Sequence, residues 1–492
     1  MRQWRRILVG AVTYVIVGAF TPPAIAHGFG QRYDLPIPLS FYVWGAGATV
    51  ALSFVGFALF LRNGQGRRYD FKLRLNERLV SWMMLTARVV GLSLFALVIV
   101  AGLYGNQDPI RNIAPVMVWV IAWVGLAFVS LCLGNIWAPI NPWNTAFALA
   151  ETAYARWRTG TVLGAQHRYP RRLGVWPAFL LLIVFAWIEL IWSGKNVPAQ
   201  LSTTLIVYSA ITWTGMFVFG REAWLKGGEV FNLVFGIFAR FAPMAKAREA
   251  PVVGLRLPGA GLLEDSPVAI SMVALVIALL ATVTFDGFLE TPLWAQVDVA
   301  TFEAASEFDS LSWTLLGLRE DQTLQLVRTF GLVGCISLFL IAYAAVCWLT
   351  AIASGDRKGS VGSIARQFVL TLVPIALAYH VAHYFSLLFI SGQYAIPLIS
   401  DPLGRGWNLF GTADYRVDIS VITPRLQWTV AVVAVVLGHV IAVYLSHVTA
   451  LRFFRSRRAA LLSQAPMVLL MVGYTMVSLW ILSQPIVEAT RG

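Results

Sequence analysis

Charge is scarce in this chain. Asp, Glu, Lys and Arg make up 12% of its 492 residues, about half the ~25% usual for a soluble protein. An ordinary water-soluble domain is thereby excluded. Cysteine is almost absent: Cys132, Cys335 and Cys347 all lie in apolar stretches, with no C-x-x-C pair. That excludes a disulfide framework and a thiolate metal site, and leaves them as small buried hydrophobes. No Walker loop, no G-x-G-x-x-G after a strand and no nucleophile elbow is present, so nucleotide binding and α/β-hydrolase chemistry have no support. Histidine is rare too, with six residues in all.

Long hydrophobic runs fill the space. The chain is 58% hydrophobic, and a bilayer takes ~20 apolar residues per crossing. Ten spans are expected, near 39–61, 80–104, 115–137, 174–194, 199–220, 267–286, 326–353, 368–391, 426–451 and 465–487. The fold class is therefore all-α, a polytopic membrane helix bundle. Before the spans, M-R-Q-W-R-R, an apolar run and small residues at Ala24 and Ala26 make a signal peptide, 1–26, with cleavage after Ala26. An uncleaved signal anchor is the alternative.

The net charge of +13 is not a nucleic-acid signal, because the basic residues sit in loops. Loops 62–79, 138–173, 221–266, 354–367 and 452–464 hold most of the Lys and Arg, which places them in the cytoplasm and both mature termini outside it. The outer loops 287–325, which is acidic, and 392–425, rich in Gly, Pro, Asp and aromatics, are long enough to carry function. The segment Glu229–Met244 mixes aromatics with Arg240 and reads as an interfacial helix lying on the membrane.

Three groups of residues can carry chemistry. The eighth span holds His380 and His383 at helical spacing, and the ninth holds His439. At 1.5 Å per residue they lie ~16, ~12 and ~20 Å from the outer surface, so tilt can bring His380 and His439 together. Ionisable groups at this depth are functional candidates, and neutral imidazole binds zinc, copper and iron. The structural alternative is three histidines hydrogen-bonded inside the bundle near Tyr379, Tyr384 and Ser386. The second group is carboxylic: Glu189 inside the fourth span, and Asp286 and Glu290 at the end of the sixth. They qualify as general bases or metal ligands. Arg88 in the second span is an alternative, purely structural partner for Glu189. The third is His27, which after cleavage offers its amine and imidazole to a metal such as copper(II).

The stretch beginning at His27 reads H-G-F-G-Q-R-Y-D-L-P-I-P. Through His27, Gly28, Gly30, Asp34, Leu35, Pro36 and Pro38 it resembles a family of bacterial multispanning membrane proteins labelled fenitrothion hydrolase. The layout of spans is similar along most of the chain. The resemblance implies a bacterial cytoplasmic membrane and hydrolysis of an organophosphorus triester. One expectation is therefore a metal-dependent hydrolase acting on an apolar triester from the bilayer, with zinc or copper held by His380, His383 and His439. The other is a permease or metal-handling protein whose intramembrane histidines and carboxylates bind an ion or relay protons. Haem ligation by facing histidines is a weaker third. The expected partners are the lipid bilayer, a hydrophobic small molecule or metal ion, and a further membrane subunit.

Overall fold

The computed structural model describes residues 37–61, 72–158, 161–246, 252–263, 267–307, 320–355 and 360–484. The signal-peptide region and His27 lie outside them. Among the described residues, nine helices are long and apolar enough to cross a membrane: α1 Leu39–Phe60, α2 Glu77–Tyr104, α3 Ile113–Leu133, α5 Pro198–Phe219, α7 Ile270–Leu289, α8 Gln322–Ser354, α9 Val361–Ser400, α10 Pro424–Phe453 and α11 Arg457–Ser483. Two apolar helices are shorter, α4 Trp176–Leu190 and α6 Val230–Ala239. The chain is an all-α integral membrane protein. The expected span at 174–194 is α4, whose 15 residues reach only ~22 Å.

Side-chain capping sets several starts. Asn76 accepts from the backbone N–H groups of Arg78 and Leu79 at the head of α2. Thr423 caps α10 and Ser456 caps α11 in the same way, each satisfying a donor that the helix itself leaves free.

The loops sort into two groups by contact. At one end, strands β1 Lys72–Arg74, β2 Met244–Lys246 and β3 Val252–Leu255 form an antiparallel sheet with β3 in the centre. Ala165 donates to the Phe217 carbonyl at 2.8 Å, and Val268 to that of Arg366 at 3.0 Å. Arg457 reaches the Ala58 carbonyl at 2.8 Å. The described parts of the five basic loops thus gather at one end. At the other end Asn106 donates to Leu403 at 2.8 Å, Gln107 accepts from Ala199 at 3.0 Å, and Gln325 donates to Ser193 at 3.2 Å. Arg328, near the start of α8, pairs with Asp298 of the long loop before it at 2.7 Å.

Two spans sit at the centre. The apolar windows of α7 and α9 are 78% and 72% buried, against 11–44% for the other spans. A helix that is apolar on every face suits an interior position, and α7 is apolar or small almost all round. The most interrupted span is α9. It runs as Val361–Phe368, a 3-10 turn Val369–Leu372, a helix Val373–Ser386 with Pro374 in its first turn, a π turn Leu387–Ser391, and a last short helix Ala395–Ser400. In α3, Val116–Gly125 is also π-helical, and the two π segments pack together. Such wide turns are common at functional sites.

The expected surface helix at 229–244 lies elsewhere. Val230, Val234, Phe235, Ile237 and Phe238 of α6 are all buried, and the helix packs against α3 and α4. Its aromatics meet protein, not the membrane interface. At its head Glu229 is fully buried and accepts from Tyr208 at 2.7 Å, Asn141 at 3.0 Å, and the backbone of Phe231 and Asn232 at 3.1 and 2.8 Å. Trp137 approaches it at 3.4 Å. Burial with this many donors makes Glu229 an anchor of the helix.

The central helix α9 packs against α10 across Gly438, where an added Cβ would come 2.7 Å from the Pro374 carbonyl oxygen. Gly438→Ala should therefore destabilise the bundle by about 1–3 kcal/mol through overpacking. Gly334→Ala, where a Cβ meets nothing within 4 Å, should be neutral or stabilising. Thermal unfolding of both variants in detergent checks the contrast.

Candidate functional site

Three central elements converge near the end of the bundle opposite the basic loops. Helix α7 brings Asp286 three residues before its last residue, α9 brings His383 and Tyr384, and α4 brings Glu189 next to its last residue. The Asp286 Oδ2 atom receives both partners: His383 Nε2 at 3.0 Å and the Tyr384 hydroxyl at 2.5 Å. Tyr384 also lies 3.5 Å from Glu189 Oε1, at the outer limit of a hydrogen bond. The Lys195 ammonium donates to the Glu189 backbone carbonyl at 2.6 Å. That places a cation over the C-terminal carbonyls of α4, where a helix favours it. Trp119, from the π segment of α3, donates to the Lys195 carbonyl at 3.0 Å and fixes this turn.

The chemistry of the group follows from its inventory. One Asp286 oxygen accepting from an imidazole and a phenol is held on two sides. A phenol has one proton, so Tyr384 gives it to Asp286 and can accept on its own oxygen. The His383 and Asp286 side chains keep 10% and 18% exposure, so the pair is not sealed. The result is a string His383–Asp286–Tyr384–Glu189 in which every member can bind and release a proton.

Behind Tyr384 lies a cavity of about 20 Å³ in terms of space for a water's centre, lined by Trp123, Glu189, Phe238, Thr282, His380 and Tyr384 among others. The His380 ring is 4% exposed and surrounded by aromatics. The ring centroids of Tyr384, Trp123, Phe238 and Phe128 lie 4.7, 5.8, 5.9 and 6.2 Å away. Neither His380 Nε2 nor Trp123 Nε1 makes a hydrogen bond of normal length and angle, although the indole lies near the Glu189 carboxyl.

The candidates from the sequence separate accordingly. His383, Asp286 and Glu189 come together, with His380 one cavity away. His439 is elsewhere: its Nδ1 contacts the Val435 carbonyl at 2.8 Å and its ring faces Tyr474 at 5.8 Å. Tilt does not merge it with His380. Glu290 is the exposed C-cap of α7 and makes no hydrogen bond to the string. Arg88 is exposed on α2 and is not the partner of Glu189, whose neighbours are Tyr384 and Lys195. His27 is outside the described residues. Among the described residues no three His, Cys, Asp or Glu side chains are placed to hold a metal ion. The donor set of His380, His383 and His439 therefore does not fit a shared metal. Sequence reasoning missed Trp123, Lys195 and the acceptor network of Glu229. A Tyr directly after His383 was the one visible signal for Tyr384.

Removing His383 leaves the half-buried Asp286 with one partner. Because Asp286 is part-exposed and keeps Tyr384, His383→Ala should cost about 1–3 kcal/mol, less than the 3–5 kcal/mol of a fully buried broken pair with its uncompensated charge. The double variant His383→Ala/Asp286→Ala removes that charge as well and should recover part of the loss. Thermal unfolding in detergent reads the order wild type, double, single; a double variant less stable than the single one would count against the pair.

No protein-family model, no curated protein and no solved structure matches the chain.

Proposed function

We propose that this chain is a proton-linked membrane permease, with the string His383–Asp286–Tyr384–Glu189 as its proton relay. The observation that carries the reading is the shared Asp286 oxygen, bonded to His383 and Tyr384 inside the two most buried spans. Ionisable groups packed inside a membrane bundle are costly, and relays and ion pathways are where they occur. In this reading the basic loops face the cytoplasm of a bacterial cell, following the charge bias. The relay then lies toward the extracytoplasmic face, and the residual exposure of Asp286 and His383 is its access to that side. Metal-dependent hydrolysis of an apolar triester, in which the family resemblance implies the hydrolysis and the histidines suggest the metal, ranks second. It needs at least three converging donors plus an open position, and the described residues group none.

Reconstitution tests the choice. In liposomes under a potassium diffusion potential, the protein should carry protons, read by an internal pH dye. Asp286→Asn and Tyr384→Phe should each slow the flux about 100-fold, the scale of lost proton-transfer groups. A wild-type flux no faster than empty liposomes, together with turnover of a chromogenic phosphotriester that His383→Ala abolishes, would replace this reading by the hydrolytic one. Orientation is checked by reporter fusions after Gly355 and within 392–425. The first should read cytoplasmic and the second extracytoplasmic.

A further inference from the structure

The relay stops, as far as direct hydrogen bonds go, at Glu189. Beyond it lies the cavity, and its lining has a feature that the string does not explain. Two nitrogens of nearly buried side chains, Trp123 Nε1 at 7% and His380 Nε2 at 4% residue exposure, make no hydrogen bond of normal length and angle, the indole lying near but not well aligned on Glu189 and Tyr384. Both residues line the same space as the Glu189 carboxyl and Tyr384. Buried polar atoms are nearly always satisfied, by protein or by ordered water. A space of about 20 Å³ for a water's centre exceeds the ~10–15 Å³ that one water needs. Polar partners on several sides are the other requirement, and here they are present. Thr282 adds a hydroxyl whose own proton goes to the Leu279 carbonyl at 3.2 Å, leaving its oxygen free to accept.

The donor set selects among small occupants. A metal cation would face the indole N–H, which only donates, and find one imidazole and one carboxylate, short of the three such ligands a metal site takes. An anion would face that carboxylate. Water suits all of them: it accepts from Trp123 and from a protonated Glu189, and donates to His380 Nε2 and to Thr282. Resting on the relay reading above, we propose that this cavity holds one water molecule that passes protons between Glu189 and His380. His380 becomes the inner end of the relay.

The step balances without any further reactant. The Glu189 O–H bond breaks as its proton moves to the water oxygen, while a water O–H bond breaks as that proton moves to His380 Nε2. Glu189 becomes a carboxylate, His380 an imidazolium carrying its other proton on Nδ1, and the water is unchanged. The two charges formed are opposite and separated by one water, so neither is left alone in the bundle. The aromatic collar of Trp123, Phe128, Phe238 and Tyr384 excludes other solvent and confines the transfer to this path.

The test uses the full chain in lipid nanodiscs and in liposomes. A cryo-electron microscopy map that resolves ordered water should show a peak within hydrogen-bonding distance of both Trp123 Nε1 and His380 Nε2. An empty cavity, or an indole bonded directly to Glu189, overturns the proposal. In liposomes, His380→Leu should slow proton flux roughly as much as Asp286→Asn, about 100-fold. Trp123→Phe, which keeps the ring and removes one water contact, should slow it roughly tenfold, the effect of about 1.4 kcal/mol on a barrier. Wild-type flux in His380→Leu, with Asp286→Asn still inactive, overturns the role of His380 while leaving the outer relay standing. If His380→Leu does not fold, unchanged flux in Trp123→Phe overturns the water-mediated step in its place. A wild-type protein that carries no protons removes the relay itself and this step with it.

Discussion

A carboxylate inside a membrane bundle must be bonded on its free sides or the bundle does not hold it. Asp286 meets that constraint with two partners on one oxygen, and much of the architecture serves the arrangement. Helix α7 occupies the centre because it is apolar all round, yet its last turn carries the acid. Only a helix packed against that turn can supply the partners, and α9 does so with adjacent residues, His383 and Tyr384. Glu189 arrives from α4, whose short length ends it at the same level. Lys195 then closes the end of α4 from the following turn. The site is thus made of helix ends and interruptions, where backbone polarity is already being accommodated.

The interruptions in α3 and α9 belong to the same account. His380 and His383 both lie in the regular stretch Val373–Ser386 of α9, three residues apart and so on one side of it, and the interruptions flank them. In α9 the histidines serve different neighbours: His383 meets Asp286 of α7, while His380 sits in the aromatic collar with Trp123 of α3. The π turn that follows at Leu387–Ser391 packs on the π segment of α3 that carries Trp119 and Trp123. Wide turns on both spans set the indoles of α3 beside the string, one holding Lys195 and the other lining the cavity.

The spans were legible because a bilayer demands length and apolarity, and both can be read along a chain. Which loops share an end was legible in their basic residues, and their described parts do collect together through the β1–β3–β2 sheet and the contacts of Arg366 and Arg457. Helix α6 was misread for a physical reason. Hydropathy does not distinguish a helix facing lipid headgroups from one facing other helices, and aromatics beside Arg240 suit either. The acids and histidines were legible as candidates by their depth, while their pairing was not. Asp286 and His383 are 97 positions apart, and nothing local chooses His383 over His439. Tyr384 and Trp123 carry no charge, so in an aromatic-rich chain they do not stand out.

The two best-partnered acids, Glu229 and Asp286, differ in when their partners exist. Glu229 accepts from Trp137, Asn141 and Tyr208, all upstream, and from the two amides that follow it at once. As the ribosome delivers α6 to the membrane, every group that Glu229 needs has already been made. Asp286 depends on His383 and Tyr384, which emerge nearly a hundred residues later. The first half of the chain can close on its own acid during synthesis. The second must hold an unpartnered carboxylate near the membrane surface until α9 arrives, and the position of Asp286 in the last turn of its helix, within reach of water, is what makes that wait tolerable.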